Sequence, residues 1–154
     1  MVTSNFGELD EIRKDCKQMV VQRAAISGVA GIVPVPGVDI ATDIGLLMQL
    51  LPAINRRFGL SPEQIEKLDS QNKLMVYSII TNAGANFAGK VITKQLIVTI
   101  LKRVGIRVGA RQVAKYVPLI GQGTAAAISF GAMKMIGDLH VNECYEISKK
   151  IRCH

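Results

Sequence analysis

The chain has 154 residues, of which 49% are hydrophobic and 20% charged. That length and composition suit one domain with a sizeable core and exclude a disordered or low-complexity chain. The net charge of +7 favours acidic partners, and three widely spaced cysteines exclude a disulfide scaffold, pointing instead to free thiols in a reducing compartment.

The opening MVTSNFGELDEIRKDC is polar and has no basic start before an apolar core, so no secretory signal is expected in it. Ser4 or Asn5 is predicted to cap a first helix, with Glu8, Asp10 and Glu11 in its opening turns, where the helix dipole favours acids. Ile12, Cys16, Met19, Val20 and Arg23 follow at helical spacing. After Arg23 the polar face disappears. The elbow Val33-Pro34-Val35-Pro36-Gly37 then breaks the helix, because each proline lacks an N–H and disfavours helical backbone in the residue before it.

A second helix is expected after Gly37. Asp39 and Asp43 share a face near its start, and Ile40, Ile44, Leu46, Leu47, Leu50 and Leu51 give it a wide apolar surface. Pro52 is predicted to kink or end it. Asn55 to Gly59, NRRFG, reads as a cationic last turn with Gly59 as its C-terminal cap. Ser61, Pro62 and Gln64 then form a start signal: a capping serine, a proline at the first helical position, and the reciprocal glutamine of a capping box. A third helix is expected from Pro62 to about Ala85, with a break around Gly84 and Gly89. Val91 to Val104 has strand-like composition, but it lacks clean alternation and a partner strand, so helix is predicted. Arg107 to Tyr116 reads as a short amphipathic helix carrying Arg107, Arg111 and Lys115 on one face. A last helix is expected from Gln122 to Ile151, rich in small apolar residues to Met133 and polar beyond it.

The elbow has an echo. RAAISGVAGIVPVPGVDIA, from Arg23, aligns with RVGARQVAKYVPLIGQGTA, from Arg107. Val33-Pro34 falls on Val117-Pro118, and Gly37 on Gly121. The expectation is an all-α, single helical domain over residues 1–154, with about six helices built on two pseudo-repeated hairpins. The first hairpin spans about 8–59, the second about 107–151, and helices in 61–104 link them. Pro34, Pro36, Gly37, Pro118 and Gly121 are the structural elbows.

Candidate sites are few. Asp39 and Asp43 interrupt an apolar segment, either as partners for the helix N-terminus and a nearby base or as an internal polar site. His140 and Cys144 lie one turn apart, as two corners of a zinc site would, but only Cys153 and His154 are in view to complete it, so no metal is expected. No local signature supports hydrolase chemistry, and neither an enzyme activity nor a cofactor is expected.

Two stretches bear a family resemblance. IVPVPGVDIATDIGLLMQLLPAINRRFGLSPEQIEKL resembles the helical domain of unknown function that accompanies some bacterial Era-like GTPases, and is similar to the C-terminal helical domain of the immunity-related GTPases. VPLIGQGTAAAISFGAMKMIGDLH resembles the second hairpin of those domains. The resemblance covers most of the chain from Ala24 to about Ile147 and implies an all-helical, membrane-associating module. The sequence departs from the GTPases in having no GxxxxGK[ST], so nucleotide binding is not expected. Gly28, Gly31, Gly121 and Gly123 read as packing or corner glycines.

Two function classes follow. The first is a non-enzymatic module on the cytoplasmic side of a membrane. Its apolar helices would meet lipid while Arg56, Arg57, Lys102, Arg103, Arg107 and Arg111 contact anionic headgroups or an acidic partner. The second is a soluble helical protein-interaction module, partnering a GTPase or another effector, whose apolar hairpins bury one another. Nucleic acid is the weakest partner class, because the basic residues are not interleaved with aromatics.

Overall fold

Apolar side chains recurring every three to four residues make this chain helical. The computed structural model describes the backbone of residues 2–30, 38–100 and 122–154, and side chains at 6–27, 44–100, 131 and 133–154. The described helices are α1 (Val2–Ala30), α2 (Val38–Arg57), α3 (Pro62–Glu66), α4 (Ser70–Asn82), α5 (residues 94–100) and α6 (Gln122–Arg152). The fold is all-α, and the described residues contain no strand.

Several boundaries differ from expectation for local reasons. Helix α1 begins at Val2, upstream of the predicted caps Ser4 and Asn5. A cap contributes only about 1 kcal/mol, which further helical hydrogen bonds outweigh. Of the two outcomes expected at Pro52, an end is excluded: the proline lies inside α2, which continues to Arg57. A proline in a helix interior costs about 3 kcal/mol; burial of Leu51 and Ile54 on either side offsets it. The single third helix is in fact two, because Asp69 leaves the helix to cap α4, its carboxylate accepting from Asn72 N–H at 3.0 Å. Val91 to Thr93 are not helical; α5 starts after Thr93, whose hydroxyl accepts from Leu96 N–H at 3.2 Å.

Other signals appear as read. Gly59 takes φ 73° at the end of α2, where Gly59 N–H bonds Arg56 C=O and Leu60 N–H bonds Asn55 C=O, the paired bonds of a Schellman motif. The Ser61–Gln64 capping box is present in both directions, at 3.3 and 3.1 Å. The chain breaks after α4, with Gly84 and Gly89 both at positive φ. The elbow residues Pro34, Pro36, Gly37, Pro118 and Gly121 lie outside the described residues, as do Lys102, Arg103, Arg107 and Arg111.

The chain gathers into two units. The first comprises Met1–Gln18, Leu51–Ile92 and Asp138–His154. Its core is Leu9 and Cys16 of α1; Leu51, Ile54 and Phe58; Leu60 and Ile65; Val76 and Ile80 of α4; Phe87 and Ala88; and Val141, Cys144 and Ile147 of α6. Here α1 and α6 run antiparallel, as the cross-contacts require: Arg152 meets Glu8 at 3.6 Å, Tyr145 donates its hydroxyl to Asp10, and Arg13 donates to Asn142 Oδ1 at 3.0 Å. The Arg13 guanidinium also lies 4.6 Å over the Tyr145 ring. Ser148, 5% exposed, is an exception in this core: its buried hydroxyl has no hydrogen-bond partner.

The second unit comprises Met19–Leu50 and Thr93–Gly137. Its described core is Val20 and Ala24 of α1, Leu46, Leu47 and Leu50 of α2, Ile97 of α5, and Met133 and Ile136 of α6. The tightest approach is at Gly137, where an added Cβ would lie 2.6 Å from both γ-carbons of Val20 and 3.1 Å from its Cβ. Val20 is β-branched and stiff, so it cannot swing aside as a long side chain does.

Two substitutions test this packing. Gly137→Ala should destabilise the chain by about 1–3 kcal/mol through overpacking, and adding Val20→Ala should recover part of the loss; urea melts that leave the single variant at wild-type stability overturn the close crossing. Ser148→Ala should raise stability by about 1 kcal/mol, because it removes a buried hydroxyl that makes no bond. A lowered melting temperature for that variant means the hydroxyl is paired in solution.

Candidate functional site

The densest polar construction among the described residues lies in the first unit, where the segment between α4 and α5 meets α2 and α6. This segment is irregular backbone, so its amides have no helical partners and need others. Glu143, on α6, supplies them. Its carboxylate accepts from the N–H groups of Asn86, Phe87 and Ala88, the latter two at 3.3 Å. It also lies 3.2 Å from His140 Nδ1, one turn earlier on the same helix. A carboxylate only accepts, so Nδ1 carries the proton. Four donors converge on one side chain that is 15% exposed.

Asn55 ties the same segment to α2. Its Nδ2 donates to Phe87 C=O at 3.2 Å, and its Oδ1 accepts from the Cys144 thiol at 3.5 Å. Phe87 inserts edge-on against His140, with ring centroids 5.4 Å apart. Lys90 closes the segment on itself by donating to Ala85 C=O at 2.7 Å. Gly89, at φ 68°, lies so close to Ile80 that a Cβ there would come within 2.6 Å of it.

The electrostatics match a tie rather than a reaction centre. Burial pushes the Glu143 carboxyl up, but the hydrogen bond from His140 and the amides of Asn86 and Phe87 hold it, on balance, below the usual carboxylate range. Burial pushes the Cys144 thiol far up, and raises Cys16 to about 11. Both thiols are therefore protonated at neutral pH and poor nucleophiles. Cys144 Sγ lies 3.7 Å from His140 Nε2, so the one-turn spacing does bring the two together. Among the described residues no group of three or more His, Cys, Asp or Glu side chains is placed to hold a metal ion. Cys153 is exposed at the chain's end, as is His154.

The residues singled out in the sequence are distributed differently. Asp39 and Asp43 sit on helical backbone in α2, and their side chains are outside the described ones. Arg56 and Arg57 are exposed in the last turn of α2. Asn55 and Glu143 were not distinguished by sequence reasoning. Asn55 falls in the stretch that reads as a cationic helix end, and Glu143 in the polar part of the last helix beyond Met133. The available signal was the i, i+3 and i+4 cluster His140, Glu143, Cys144; its target, three loop amides far away in sequence, has no side-chain signature.

Comparison with known proteins gives a link to a GTPase. The chain is 28% identical over 146 residues to interferon-inducible GTPase 5 of Bos taurus, covering 94% of this chain and 31% of that protein. It is also 28% identical over 143 residues to the protein of the same name from Rattus norvegicus, covering 91% of this chain and 31% of that protein. The chain thus spans about a third of the length of the curated relatives it matches. No protein-family profile matches it, and no solved structure does. The similarity gives this helical chain a link to a GTPase; association with bacterial Era-like proteins is not part of that link.

The Glu143 tie has a pH signature. A carboxylate held below its ordinary range stabilises the fold above that range, and the contribution is lost as pH falls through the depressed value. Glu143→Ala leaves the part-buried amides of Phe87 and Ala88 without their acceptor and should cost about 2–6 kcal/mol, at about 1–3 kcal/mol for each, while the exposed Asn86 amide can turn to water. It should also flatten the acid limb of the stability-versus-pH curve. Urea melts from pH 7 to pH 3 check both, and an acid limb that remains wild-type in the variant overturns the assignment.

Proposed function

We propose that the chain is a non-catalytic helical module, linked to a GTPase-type protein, that docks a protein partner. The observation that carries this reading is the set of described exposed positions on α1 and α2 in the second unit. Among the described residues, the exposed positions of α1 there are Val21, Gln22, Ala25 and Ile26, and those of α2 are Gly45, Met48 and Gln49. None is charged, and Val21, Ile26 and Met48 are 45, 48 and 41% exposed. The same outer face of α1 in the first unit carries Glu8, Asp10, Glu11, Lys14 and Asp15. An exposed face without charge, on a helix that is otherwise charged outside, suits a surface that is covered in use.

The similarity to interferon-inducible GTPase 5 supports the setting, since it covers nearly all of this chain and about a third of those proteins. Their activity does not transfer, because these 154 residues contain no GxxxxGK[ST] phosphate cradle. Among the described residues no helix is long and apolar enough to cross a membrane. Among the described residues the larger apolar side chains of α2 and α6 are mostly buried, leaving less surface for lipid. A second reading, peripheral contact with an anionic membrane, is favoured by the exposed Arg56 and Arg57 and by the net charge of +7.

Flotation of the full chain with phosphatidylserine-containing vesicles separates the readings. A protein-docking module should stay out of the vesicle fraction at both low and high salt. Flotation that salt reverses replaces this reading with a basic membrane-binding surface, and flotation that resists salt replaces it with inserted apolar helices. In calorimetry, GTP should show no saturable binding at micromolar concentration; a binding isotherm overturns the non-catalytic assignment.

A further inference from the structure

We draw no further inference here: the strongest candidate, the buried side-chain cluster of Asn55, His140 and Cys144 where α2 meets α6 in the first unit, belongs to the site already described, and the bonds it makes are within the chain.

Discussion

Irregular backbone inside a helical protein has to find hydrogen-bond partners away from any helix, and in the first unit one carboxylate meets that requirement. The amides of Asn86, Phe87 and Ala88 all turn to Glu143, and the carbonyl of Phe87 turns to Asn55. These bonds place the Phe87 ring on His140 and bury Ala85, Phe87 and Ala88 in the core. Without the tie, those apolar side chains would stand on backbone that lacked acceptors. The negative charge of Glu143 is an advantage here, since a charged acceptor makes hydrogen bonds about twice as strong as a neutral one. His140 completes the arrangement from the same helix, leaving the carboxylate nearly saturated.

What the sequence made legible is what local chemistry determines. Gly59, Ser61, Pro62 and Gln64 act within a few residues of themselves, and each does in the fold what its side chain or backbone freedom dictates. The all-helical class was legible from spacing for the same reason. The split at Asp69 was missed although it is also local. Leu68 is 39% exposed at the break, and the capping preference of Asp69 prevails over propagation of one long helix.

The tie itself belongs to a different category. Glu143 and the amides it binds are 55 to 57 residues apart, and Asn55 and Cys144 are 89 apart. Backbone amides have no residue type, so composition and spacing carry no trace of them. A polar residue whose purpose is to satisfy backbone looks, in sequence, like one that faces water. The Gly137–Val20 crossing was half legible: a helix rich in small residues implies close approach, but the position at which two helices touch depends on the register between them.

The same distinction bears on the choice between lipid and protein partners. Stretches such as Ala24 to Val38 and Leu74 to Gly89 look membrane-like when read as runs of uncharged residues. Burial sorts the second differently. In the second stretch Val76, Ile80, Ala85, Phe87 and Ala88 face the core, while Leu74 stands 71% exposed among polar neighbours. At about 25 cal/mol per Å² of apolar surface, only what remains outside contributes to binding lipid. For the described residues that remainder is a modest face on α1 and α2 with isolated side chains elsewhere. Apolar side chains beside Gln22 and Gln49 suit a protein interface, whose core is apolar and whose rim is polar. The remainder is much less than an inserting helix presents, which is why the inward-facing leucines of α2 weigh more in this argument than the run of uncharged letters that contains them.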